Sequence, residues 1–371
     1  MTRKSQLHPV SRHGVVWLQW KLVIFLYVAL SLLSLLCIHL QYYSVTMLEP
    51  LSVAGSHIHI RPRQYSGDRP KVAFLFLARR DLPLDFVWDR FFKGADQANF
   101  SVYIHSRPGF VFNEETTRSQ YFYNRQLNHS IKVIWGESSM IAAERLLLAA
   151  ALDDHSNQRF VLLSDSCVPL YDFGYIYRYL ISSPRSFVDS FIHTKERRYS
   201  MNMSSVIPEE KWRKGSQWIS VIRSHAELIV NDRIVFPVLR NSARQNLRNC
   251  IPDEHYIQTL LTMRGLESEM EPRTLTYTVW NVSGTKHEAK SWHPVTFTFG
   301  NSGPEDIQEK SINHVNYVSE SRIEWCKADS KPVPCFLFAR KFTKEAAMRL
   351  VSEVLIGSSK NRSLISYNRV S

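Results

Sequence analysis

Apolar positions recur along this chain in three rhythms, and each predicts a different kind of structure. Between Leu22 and Leu40 no charged residue occurs (LVIFLYVALSLLSLLCIHL), and Trp17, Trp20, Tyr42 and Tyr43 flank the run. At helical rise such a segment is about 28 Å long, enough for the hydrocarbon core of a bilayer, with the aromatic side chains at its two interfaces. A transmembrane signal-anchor over 22–40 is therefore predicted. The competing reading, a cleaved signal peptide, would call for a shorter run and a small-x-small cleavage site, which does not follow. Residues 1–21 carry Arg3, Lys4, Arg12 and Lys21 and no acid, so this tail stays cytosolic and the body from residue 44 onward faces the lumen. Residues 41–70 have no periodicity and contain Pro50, Pro62 and Pro70, the pattern of a stem.

From Lys71 the second and third rhythms alternate. KVAFLFLA (71–78), FSVYIHS (100–106), IKVIWG (131–136) and RFVLLSD (159–165) are apolar runs of buried-strand length. Helical spacing appears over 84–93 and 138–154, the latter with Ser138 or Ser139 in position to cap it. Strands separated by helices imply parallel βαβ units, hence an α/β fold with a Rossmann-like, mostly parallel sheet covered on both faces. Further on, the pattern predicts a helix over 224–231, strands over 273–281 and 335–342, loops over 282–320, and an amphipathic helix over 344–355. The globular domain is placed at 71–355 and a C-terminal tail at 356–371. In such sheets ligands lie beyond the carboxyl ends of the strands. The positions singled out are Arg79-Arg80, His105-Ser106-Arg107 and Ser164-Asp165-Ser166.

Composition narrows the partner. An apolar fraction of 44% and 12% aromatic residues exclude disorder, and the formal charge of +12 calls for an acidic ligand. Neither zinc-finger spacing nor an RNA-binding signature is present, so a nucleotide-sugar diphosphate suits the charge better than nucleic acid. The sequons at Asn99, Asn128, Asn202, Asn281 and Asn361 agree with a lumenal body. Of the five cysteines, Cys37 lies in the apolar run; Cys326 and Cys335 enclose a short proline-bearing loop and are the favoured bridge.

The candidate chemistry centres on Cys250-Ile-Pro-Asp-Glu-His-Tyr256. Pro252 suits the first position of a helix, with Asp253 and Glu254 in its first turn and Ile257, Leu260 and Leu261 at helical spacing. A carboxylate there can serve as a general base, although most such triplets are ordinary helix starts. No Asp-x-Asp triplet for a divalent metal occurs; the nearest analogue is Glu269-Met-Glu271. Cations would then have to stabilise a departing diphosphate, and Arg340-Lys341 at a strand end are candidates. Arg79 is open to a charge pair with Asp81 or Asp85, His105 to a core role, and Asp165 either to a sugar or ribose contact or to capping. Trp212 and Trp218 suit either a sugar-stacking platform or the core, and Glu144 and Arg145 read as a surface helix face.

Taken together, KVAFLFLARRDLPLD, FSVYIHSRPGF, VIWGESSMIAAERLLLAAAL, RFVLLSDSCVPLYDFGYIYRYL, RKGSQWISVIR, CIPDEHYIQTLL and PCFLFARKF resemble the core-2/I-branching β-1,6-N-acetylglucosaminyltransferases, the family 14 glycosyltransferases, and within them the plant BC10-like branch. The resemblance runs from about 71 to 345. It implies a GT-A-like fold, inversion at a UDP-sugar, UDP-GlcNAc by analogy, and no metal cofactor. Ile251-Pro252-Asp253-Glu254 is similar to the family's Ser-Pro-Asp-Glu except at its first residue, which makes Glu254 the implied base. Phe338-Ala-Arg-Lys-Phe342 is similar to Phe-Ala-Asn-Lys-Phe, which makes Lys341 the implied diphosphate ligand. The family's arginine partner has no clear match, and Arg340 and Lys331 both remain open. Nucleotide contacts would fall on Leu77, Ala78, Arg79 and on His105, Ser106 and Arg107, and acceptor contacts on Gly215, Ser216, Gln217 and Trp218. The family's animal disulfide pattern does not carry over to four lumenal cysteines.

The expectation is a Golgi type II membrane glycosyltransferase with a lumenal catalytic domain, acting on a glycan or glycoprotein hydroxyl, plant cell-wall chains among them. The alternative is a non-catalytic, membrane-anchored glycan-binding or scaffolding protein that keeps the fold.

Overall fold

The computed structural model of the chain describes residues 21, 24–36, 69–192, 198–244, 251–280, 294–303, 314–317, 322–328 and 330–352. Two units are distinguished, Met1–Ser66 and Gly67–Ser371. In the first, residues 24–36 are helical with exposed apolar side chains. Among the described residues no helix is long and apolar enough to cross a membrane. The ends of the expected 22–40 span, nearly all of the stem and the 356–371 tail lie outside the described residues, as do Cys37, Cys250, Asn281 and Asn361.

The second unit is organised by a six-stranded sheet in the order β2-β1-β3-β6-β5-β7. Its strands are β1 (Lys71–Leu77), β2 (Phe100–His105), β3 (Asn157–Ser164), β5 (Ser186–Phe187), β6 (Ser220–Ile222) and β7 (Met270–Glu271). β1 pairs in parallel with β2 and β3, whereas β6 runs antiparallel to both β3 and β5. The sheet is therefore mixed, with β6 the reversed strand. β6 is three residues long, too short for a period to announce it.

The uninterrupted apolar run of β1 has a direct cause: both faces of this strand are covered. Val72, Phe74 and Phe76 pack with Trp88, Phe91 and Phe92 of α1 (Asp85–Phe92) and with Phe173, Ile176 and Leu180 of α3 (Phe173–Ser182). Ala73, Leu75 and Leu77 pack on the other face against α2 (Ser139–Leu152), α4 (Arg223–Asn231) and α6 (Tyr256–Met263). α5 (Val235–Arg244) adds Val235 and Leu239 to that layer.

A smaller sheet, β4-β13-β8, flanks the large one. It joins β4 (Val168–Pro169), β13 (Phe338–Arg340) and β8 (Thr276–Thr278), with β13 antiparallel to β4 and parallel to β8. The expected strands over 273–281 and 335–342 are thus real but shorter. Two hairpins, β9 (His314–Tyr317) with β10 (Arg322–Trp325) and β11 (Lys327–Ala328) with β12 (Lys331–Pro332), precede β13, and α7 (Lys344–Ser352) follows it. Cys326 and Cys335 form the expected disulfide.

Four expectations are corrected. The segment 282–320 is not all loop, since β9 lies within it. Residues 131–136 form no strand; Ile134 and Trp135 are exposed in a turn. The free edge of β2 is already taken, because Ile104 exchanges backbone hydrogen bonds with Arg125 and Leu127. Pro252 does not head an α-helix either. It opens the single turn Pro252–Glu254, His255 breaks the geometry with φ of −126°, and α6 starts at Tyr256. Ser138 at the start of α2 makes no capping bond; the Ser139 hydroxyl instead holds the turn at Ile134.

Candidate active site

Strand register brings the predicted positions together. Leu77 stands opposite His105 of β2 on one side and Ser164 of β3 on the other, so Ala78-Arg79, Ser106-Arg107 and Asp165-Ser166 leave the sheet side by side. The Ala78 N–H donates to the His105 carbonyl at 2.9 Å and ties the first two together. β13 delivers the next pair: Ala339 is registered with Val168, and the Phe342 N–H donates to the Ser166 carbonyl, so Arg340 and Lys341 arrive beside Asp165.

Arg79 pairs with Asp165, and Arg340 and Lys341 lie within electrostatic reach of the same carboxylate. Arg79 Nε donates to Asp165 Oδ2 at 2.8 Å, and that bond and charge raise the Arg79 pKa. The hydrogen-bonded partner of Arg79 is thus Asp165, with the charge of Asp81 a lesser influence; Asp85 instead receives the Thr117 hydroxyl and the Arg118 N–H. Asp165 caps no turn. Burial lowers the pKa of Lys341, and the positive charges of Arg340 and Arg79 lower it further, with Asp165 opposing them. Burial lowers that of Arg340 as well. Mutual repulsion of this kind marks a surplus of positive charge that an anion would relieve. Lys331, the other candidate for the second cation, is exposed on β12.

His105 is buried. Its Nε2 accepts from the Ile131 N–H at 3.1 Å while Nδ1 has no partner, and burial lowers its pKa to about 4. The ring is neutral near pH 7, with the proton on Nδ1. Ser106 is buried with an unpartnered hydroxyl, and Arg107 is exposed.

Residues Gly215–Trp218 feed into β6. Because β6 opposes β3, this segment also lies beyond the carboxyl end of β3. Its side chains are engaged within the protein. The Arg340 guanidinium lies over the Trp218 ring at 4.3 Å, so this buried tryptophan supports the cation and offers no open platform to a sugar. Trp212 is buried as well and stacks on His255 at 4.4 Å. Gln217 donates to Glu144, the Ser216 N–H donates to Asp189, and the Ser216 hydroxyl receives the Trp218 N–H.

The Gly215 N–H donates to the Glu254 carbonyl at 2.9 Å, which attaches the base motif to the same segment. The Glu254 carboxylate is part-exposed, with Oε2 2.9 Å from Arg198 Nη1 and 3.9 Å from Lys214 Nζ. A path of direct contacts and short chain segments thus runs from Arg79 through Asp165, Lys341, Arg340, Trp218 and Gly215 to Glu254. Arg198, Lys214 and Asp189 carry no signal of their own in the sequence, whereas Glu144, expected on a surface helix face, is buried. Arg198 and Lys214 stand in basic stretches of the chain.

Gly215 is required by a close approach. A Cβ there would meet the Asp189 carbonyl oxygen at 1.7 Å. Gly215→Ala is therefore expected to destabilise the fold by ~1–3 kcal/mol and to displace Glu254 through the shared hydrogen bond. Thermal melting beside transfer assays checks this; a variant with wild-type melting and rate would show that the segment yields without consequence.

Among the described residues no cluster of three or more His, Cys, Asp or Glu side chains is placed to hold a metal ion.

Comparison with known proteins adds the lineage. The family model for the Core-2/I-Branching enzyme matches residues 72–311, a span that includes Glu254 and ends before Arg340. The chain is 49% identical over 310 residues to Glycosyltransferase BC10 of Oryza sativa subsp. japonica, covering 78% of each chain. Among solved structures, the galactosyltransferase LgtC in complex with donor and acceptor sugar analogs aligns at a TM-score of 0.31 and 7% identity, covering 72% of this chain and 86% of that one. A197 from STIV aligns at 0.20 and 11% identity, covering 42% and 67%. Neither structural likeness is strong enough to carry an argument.

Proposed function

The chain belongs to the Core-2/I-Branching enzyme family and is a glycosyltransferase, and from that premise we propose an inverting, metal-independent transfer of GlcNAc from UDP-GlcNAc to a hydroxyl of a glycan or glycoprotein. Glu254 removes the acceptor proton while that oxygen attacks the anomeric carbon on the face opposite UDP. The bond from that carbon to the diphosphate breaks, and the electron pair leaves with UDP. Arg340 and Lys341, with Arg79 beside them, receive the charge that grows on the departing phosphate. Burial of the Arg340–Trp218 pair holds one of these cations in place before the reaction begins.

The observation that carries this reading is the gathering of Arg79, Arg340 and Lys341 near the carboxylate of Asp165 beyond the strand ends. A diphosphate is the common ligand that such a surplus would favour. The proposed setting is a Golgi type II protein anchored by residues 22–40 with the catalytic unit in the lumen.

A panel of UDP-sugars presented to the purified catalytic unit, with UDP release as readout, tests the reading. Release is expected with UDP-GlcNAc, undiminished by EDTA. Activity abolished by chelator and restored by manganese would overturn the metal-free scheme, and release only with another sugar would overturn the donor.

A further inference from the structure

Next to Glu254 lies a carboxyl that the reaction as described does not use. Asp253 is buried, and its Oδ1 has no hydrogen-bond partner. Leaving a carboxylate oxygen in that state is costly, so a merely structural role would be better served by an uncharged side chain. The turn Pro252–Glu254 packs against α2, whose Glu144 is buried within electrostatic reach of Asp253. Glu144 accepts from Gln217 Nε2 at 2.7 Å, so this second acid is tied to the segment that also carries Gly215.

The charges around Asp253 come from several elements. Glu254 and His255 adjoin it on its own segment, Glu144 faces it from α2, and Arg198 acts on it from the stretch before the turn Met201–Met203. Arg198 and Lys214 in turn both sit on the Glu254 carboxylate. The His255 ring is engaged with Trp212 and the Arg213 carbonyl.

We propose that Asp253 is a positioning residue for the transfer: when ionised, it offsets the field of Arg198 and Lys214 on Glu254, and when protonated, it leaves Glu254 held by those cations as a weak base. The proposal rests on the reading of Glu254 as the base. Coulomb's law supplies the reason, since a charge on the adjacent buried residue acts at short range and is screened less than an exposed one. Burial, followed by the charge of Glu254, pushes the Asp253 carboxyl up to about 7. Burial and the charge of Asp253 push Glu144 well above the usual carboxylate range. Asp253 therefore changes state near neutrality.

The test is the pH dependence of kcat/KM for the wild type, Asp253→Asn and Glu254→Gln, with thermal melting and UDP affinity measured alongside. The wild-type profile should fall as pH drops through about 7. Asp253→Asn should lower the plateau roughly tenfold, less than loss of the base itself, and remove that break while UDP affinity holds. A band from a protonated carboxyl in the wild-type infrared spectrum should titrate over the same interval and be absent from Asp253→Asn. If the wild type shows no break, or if Asp253→Asn melts lower yet keeps the break, Asp253 has only a structural role. If Glu254→Gln transfers sugar normally, the base assignment itself fails. A dead Glu254→Gln beside a wild-type-like Asp253→Asn overturns this proposal alone.

Discussion

Glu254→Gln is expected to lower the transfer rate by about two to four orders of magnitude while UDP binding stays near the wild-type value. The amide keeps the shape of the side chain and removes its capacity to take a proton. The backbone geometry does not depend on the carboxylate, because Gly215 donates to the main-chain carbonyl of residue 254. What changes locally is the ion pair with Arg198 and the weaker contact with Lys214, both at a part-exposed carboxylate. Initial rates of transfer and calorimetric titration with UDP measure the two quantities separately. A Gln variant that transfers sugar at the wild-type rate would remove Glu254 from the mechanism.

Lys341→Ala is expected to have the next largest effect, weakening UDP binding and lowering kcat by roughly two to three orders of magnitude. Lys341 is half-buried, repelled by Arg340 and Arg79, and opposed by Asp165 alone. Such an arrangement is expected to favour a diphosphate, since an anion would relieve the repulsion among these cations. Lys341→Arg should recover part of the loss, because charge is kept while the point ammonium becomes a planar fork. Added salt should weaken UDP binding to the wild type more than to Lys341→Ala, as one cation has gone. If affinity and turnover are unchanged in Lys341→Ala, its role at the phosphate is wrong.

Much of the site could be read from the chain without coordinates. β1, β2 and β3 are apolar runs, and their carboxyl ends follow from the βαβ logic, so Arg79, His105 and Asp165 were nominated before their register was known. Periodicity could also have revealed Glu144. It shares the inward face of α2 with Ile141, Leu148 and Ala151 at spacings of three and four, yet its charge made it read as surface. Trp218 was open between a sugar platform and the core, and only the position of Arg340 over its ring decided the matter. For 131–136 an apolar run was not enough: the β2 edge it would have joined is occupied by Arg125 and Leu127.

The amino-acid order alone determined β1, β2 and β3 and the helices α1 and α2, because period and run length are local properties that survive without knowledge of any partner. It also placed two cations at the end of a strand, but it put Glu254 in the first turn of an α-helix and not in the separate turn Pro252–Glu254. Tertiary structure decided the pairings: Arg79 with Asp165, Arg340 with Trp218, Glu254 with Arg198, and Asp253 near Glu144. These contacts join residues far apart in the chain. Their charge balance depends on burial and distance, which no local pattern encodes.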